Sequence, residues 1–141
     1  MSFMDKEQFK TIDMRRISYF LTAVLSFLLT EFGRFTYRPY IYENNINDFG
    51  IADSIGNLGG IVVQIFLGML ILNPSKKLGF RIIAILVGGY ILYEILQPIL
   101  PKGVFDWLDI YGTVLGGIIA LLIYLLIQRL TKNKNKILYK F

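Results

Sequence analysis

Apolar residues fall in four long runs, at about 17–33, 51–72, 80–96 and 107–128. Each approaches the roughly 20 apolar residues that a membrane-crossing helix needs. The polar breaks "RPYIYENNINDFG", "NPSKKLG" and "QPILPKG" combine Pro or Gly with polar side chains, which is turn chemistry. Within the runs the apolar residues are continuous, without the strict alternation of a membrane strand. The pattern predicts an all-α membrane protein, a four-helix transmembrane bundle over 17–128. It is flanked by a polar N-terminal segment (1–16) and a basic tail (129–141).

Composition narrows the chemistry. Of 141 residues, 55% are hydrophobic and 18% charged, against about 25% charged in ordinary soluble domains. There is no cysteine and no histidine. Thiol nucleophiles, disulfides and thiolate metal sites are excluded, and the usual general base is missing. Nothing in the sequence implies a cofactor. The segment "MSFMDKEQFKTIDMRR" lacks a small-residue cleavage motif and reads as a retained cytoplasmic segment. The net charge of +5 does not point to nucleic acid, because the basic residues sit at the ends of apolar runs and not on one soluble face.

Lysine and arginine set the expected orientation. Twelve of the fifteen lie in the N-terminal segment (Lys6, Lys10, Arg15, Arg16), around the second break (Lys76, Lys77, Arg81) or in the tail (Arg129, Lys132, Lys134, Lys136, Lys140). Only Arg34, Arg38 and Lys102 fall on the other side. Both termini are therefore expected in the cytoplasm of a bacterial inner-membrane, multi-pass protein. The tail "RLTKNKNKILYKF" suits an anionic leaflet.

The chain also repeats a phrase. "FGIADSIGNLGG" from Phe49 is echoed 56 positions later by "FDWLDIYGTVLGG" from Phe105, with Phe49/Phe105, Asp53/Asp109, Gly56/Gly112 and Gly60/Gly116 identical. The helix before each phrase ends in an acid with a polar residue three further on, Glu31 with Arg34 and Glu94 with Gln97. Two helical hairpins running the same way are expected, related by an axis along the membrane normal.

The spacing of Asp53, Asn57, Gly60 and Gln64 puts them on one helical stripe, matched by Asp109, Thr113 and Gly116. Such stripes should face protein in a bilayer. The glycines have a plain reading as close-packing residues. The acids are harder to absorb, since ionisable residues in a span are functional candidates by default. Seven acids, Glu31, Glu43, Asp48, Asp53, Glu94, Asp106 and Asp109, face three bases at the outer side. They could equally be interfacial residues in salt bridges or helix N-terminal charges.

The stretch "YEILQPILPKGVFDWLDIYGTVLGG" resembles a signature of the VanZ-like membrane proteins, through Glu94, Gln97, Pro101, Asp106, Asp109 and Gly116. "ADSIGNLGG" is similar to an earlier segment of that family, through Asp53, Asn57 and Gly60. The chain departs from the family pattern at Thr113, where asparagine is expected, and at Lys102, where arginine is common. The resemblance implies a small envelope protein, linked in some members to glycopeptide antibiotic tolerance.

The candidate binding residues are thus Glu31, Arg34, Asp53, Asn57, Glu94, Gln97, Lys102, Asp106, Asp109 and Thr113. The first reading is a protein that binds an envelope lipid or lipid-linked cell-wall glycan with these residues. A second is a membrane enzyme using the carboxylates as acid–base groups or as Mg²⁺ or Ca²⁺ ligands. A third is a scaffold whose glycine faces bind another membrane protein or a second copy of the chain.

Overall fold

The computed structural model describes residues 14–101 and 103–138, of which 132–138 are described by their backbone alone. Every regular element among the described residues is a helix, and there is no strand among them. Helix α1 is Met14–Phe32, α2 is Arg38–Glu43, α3 is Ile51–Leu72, α4 is Lys76–Leu96 and α5 is Trp107–Leu138. Three helical stretches are long and apolar enough to cross a membrane: Ile51–Leu72, Lys76–Ile99 and Trp107–Thr131. Helix α1 is not among them. It has 19 residues, and Arg15, Arg16 and Glu31 at its ends leave its apolar stretch short.

Local chemistry explains the breaks. Asn73 ends α3 with φ at 40°, in the left-handed region. Ser75 then caps α4, its side chain accepting from the Leu78 N–H. Helix α4 therefore begins at Lys76, one turn before its apolar run. Before α3, Asp48 accepts from the N–H groups of Gly50 (3.1 Å) and Ala52 (2.7 Å). Gly50 there takes φ at 81° against the Leu108 side chain, a conformation that favours glycine. Asp106 caps α5 by accepting from the Leu108 N–H at 2.9 Å. The 32 residues of α5 run about 48 Å at about 1.5 Å per residue. That exceeds a hydrocarbon core of about 30 Å.

The break expected at Arg38–Gly50 is shorter than the sequence pattern suggests. Five residues, Gly33–Tyr37, form a π-helical turn that joins α1 to α2 without a loop. Pro39 is tolerated because it stands in the first turn of α2. π-turns are rare and concentrate at functional sites.

Helix α3 sits at the centre. Gly33 and Thr30 of α1 meet Ile55 and Gly59 of α3, while Tyr19 meets Phe66 with ring centroids 6.0 Å apart. The two helices are therefore antiparallel over their length. Gly112 of α5 abuts Ser54 and Gly116 abuts Leu58, so α3 and α5 run in parallel. Val87 of α4 meets Gly117, and Gly79 meets Tyr124, so α4 runs antiparallel to α5. One end of the molecule is clamped by Tyr19, Phe66, Phe80 and Tyr124. There Gln128 donates to the Tyr19 hydroxyl at 2.9 Å, and the Tyr124 hydroxyl donates to the Lys76 carbonyl at 3.2 Å. The core contains Tyr19, Phe66 and Tyr124 of this clamp together with Ile61, Ile65, Met69 and Ala120.

Candidate functional site

The opposite end gathers the polar residues. The end of α1, the π-turn, the start of α3, the end of α4 and the start of α5 converge there. Between them lies a cavity of about 330 Å³ lined by Arg34, Arg38, Asp53, Gly56, Asn57 and Asp109. A larger cavity of about 530 Å³, lined by residues such as Leu25, Leu58, Val62 and Ile119, is apolar. Thr22 and Thr30 on its wall spend their hydroxyls on carbonyls of their own helix, so it offers little for polar recognition.

Arg38 organises one wall of the polar cavity. Its Nε donates to the Tyr42 hydroxyl at 3.1 Å and its Nη2 to Asp53 Oδ1 at 3.3 Å. Tyr42 donates to the same Asp53 oxygen. The guanidinium also lies 5.4 Å from the Tyr42 ring centroid, within cation–π range. Arg38 holds its proton more tightly than a free arginine, chiefly through the Tyr42 hydrogen bond, against the opposing effect of burial and with smaller help from the charges of Tyr42 and Asp53. The π-turn gives Arg38 this position, since it carries the helix on past Gly33 and over the N-terminus of α3. Tyr37, in the same turn, donates to Asp48 at 3.2 Å and ties the turn to the cap of α3.

The other wall is acidic. Glu94, near the end of α4, is 3% exposed. Its carboxylate accepts from Gln97 Nε2 at 2.6 Å and is faced by Asn57 from α3. Asp109 shares its electrostatic surroundings with Asp106, Arg38 and Asp53. Arg38 already binds Asp53, and no ion pair reaches Glu94 or Asp109 among the described residues. On this side Asp109 lines the cavity and Glu94 lies behind Asn57.

The remaining sequence candidates take different places. Glu31 and Arg34 pair at 3.3 Å along one helix face, with the Arg34 side chain 54% exposed. Such a pair contributes about 0–1 kcal/mol. Gln97 adjoins the cavity through Glu94, and Asp106 serves as the α5 cap. Thr113 is fully buried one turn beyond Asp109, with its hydroxyl unpartnered. Lys102 lies outside the described residues. Sequence reasoning missed Arg38 and Tyr42 as site residues, because both sit in a stretch that reads as loop. The available signal was that Arg38 is one of only three bases on its side.

Among the described residues no three carboxylates are arranged to hold a metal ion. The cavity lining carries charge of both signs, from Arg34 and Arg38 and from Asp53 and Asp109. Comparison with family models, curated proteins and solved structures gives no match.

Proposed function

We propose that the chain is a four-helix protein of the bacterial inner membrane, similar to the VanZ-like family, that binds an envelope lipid or lipid-linked glycan at its outer face. In this reading α1 is the fourth span and both termini are cytoplasmic. The four long helices form two hairpins of like direction. The antiparallel contact of α1 with α3, from Gly33–Ile55 to Tyr19–Phe66, supports a shared depth. The described bases Arg15, Arg16, Lys76, Lys77, Arg81 and Arg129 lie in the segments nearest the clamped end, which supports the orientation.

One observation carries the functional part. Glu94 is 3% exposed and Asp109 borders a polar cavity, yet among the described residues no ion pair reaches either. Glu94 is held by Gln97 and Asn57 rather than by a cation, and ionisable residues within a span are functional candidates by default. A link to glycopeptide tolerance follows from the family likeness. It is tested by complementing a glycopeptide-sensitive deletion strain. Glu94→Gln and Asp109→Asn should each fail to restore tolerance at unchanged membrane levels. Full restoration by the double variant would leave a packing scaffold as the better account.

A further inference from the structure

The polar cavity has a polarity along its length. Arg34 and Arg38 stand at the α1 side, and Asp109, with Glu94 behind it, stands at the α4–α5 side. Arg34 gives one amino group to Glu31, and Arg38 gives one amino group and its Nε to Asp53 and Tyr42. Each guanidinium keeps further N–H donors, and both side chains are about half exposed. Guanidinium groups suit phosphate oxygens. Opposite them, Asp109 makes no hydrogen bond or ion pair among the described residues, its nearest recorded positive charge being Arg38 across the cavity. An anion alone would satisfy the arginines and be repelled by Asp109. A cation alone would do the reverse. A ligand carrying a phosphate next to an ammonium satisfies both walls.

The floor of the cavity says where the rest of such a ligand goes. Gly56 lines the cavity, and Gly60 lies one turn deeper on the same stripe of α3. A Cβ added at either position would meet nothing within 4 Å. These glycines are not used to bring helices of this chain together, unlike Gly112 and Gly116. They leave open space beside α3 at the cavity's edge and one turn deeper.

We propose that the cavity binds a phospholipid with a zwitterionic, primary-amine headgroup, its phosphate at Arg34 and Arg38, its ammonium at Asp109, and an acyl chain over Gly56 and Gly60. This rests on the outer-face lipid reading above and names the lipid class.

The test uses the full chain in detergent, titrated with lipids of identical acyl chains and read by native mass spectrometry. Phosphatidylethanolamine should bind about tenfold more tightly than phosphatidylcholine, whose trimethylammonium cannot donate hydrogen bonds to a carboxylate, and than phosphatidylglycerol, which has no cation. Asp109→Asn should abolish the preference over phosphatidylcholine, and Arg34→Gln should weaken both phospholipids alike. Gly60→Leu, whose Cβ meets no atom within 4 Å, should weaken the lipid but leave soluble glycerophosphoethanolamine unaffected. Equal binding of the amine and trimethylamine lipids, or a preference indifferent to Asp109→Asn, overturns the proposal while leaving a cleft-dependent lipid site standing. Glycerophosphoethanolamine binding as tightly as the lipid would assign the cavity to a free headgroup, against the proposal. Lipid binding that no cavity variant alters, for any headgroup, overturns both this inference and the reading beneath it.

Discussion

At the scale of single residues, two buried polar groups separate structure from site. Glu94 and Thr113 are both almost fully buried, and both belong to the acidic, glycine-spaced pattern that stands out in the sequence. Glu94 is held by Gln97 at 2.6 Å and faces the polar cavity's acidic wall. Thr113 makes no hydrogen bond, so its hydroxyl is desolvated without compensation. Replacing it with the isosteric valine removes the unpaired group and keeps the shape. Thr113→Val should stabilise the protein by about 1 kcal/mol, read as a raised midpoint of thermal unfolding in detergent. A clear loss of stability would show that the hydroxyl has a partner of consequence. Asp48 and Asp106, counted with the acids of the outer side, are explained locally as helix caps.

At the scale of elements, the doubled phrase is used asymmetrically. Gly112 and Gly116 of α5 press on the backbone of α3 at Ser54 and Leu58, whereas Gly56 and Gly60 face open space. Backbone cannot step aside for a methyl group as a flexible side chain can. Gly112→Ala should therefore cost about 1–3 kcal/mol through overpacking. Gly60→Ala should instead stabilise by about 0.5–1 kcal/mol, because alanine loses less conformational freedom in a helix. Paired unfolding measurements decide this, and equal effects of the two substitutions would contradict the asymmetry. Spacing alone did not reveal it. The two glycine pairs have the same period, and which face meets a neighbour depends on how the helices are rotated.

The same limit explains which elements were legible. Three membrane-capable stretches were readable as continuous apolar runs bounded by Pro, Gly and Asn. The π-turn and α2 were not, because Pro39 and the aromatic–polar mixture of "RFTYRPYIYE" carry loop signals. The helix persists since proline is acceptable in a first turn. Arg38 and Tyr42 were hidden with it. Glu94, Asp53 and Asp109 could be picked out because an acid beside a long apolar run needs a reason to be there.

At the scale of the whole molecule, the two ends differ in kind. Aromatic rings and inter-helix hydrogen bonds clamp one end, near Lys76 and Gln128. The other holds a charged cavity fastened by Arg38 and Tyr42. A ligand exchanging with the outer leaflet needs only the cavity end to open. The account stands on that end facing outward. Because the chain has no cysteine, single cysteines report orientation without background. In intact cells an impermeant thiol reagent should label Asn45→Cys, in the connection between α2 and α3, and leave Ser75→Cys, at the clamped end, unlabelled until the membrane is permeabilised. Labelling of position 75 but not of 45 from outside would place the cavity in the cytoplasm and contradict the account.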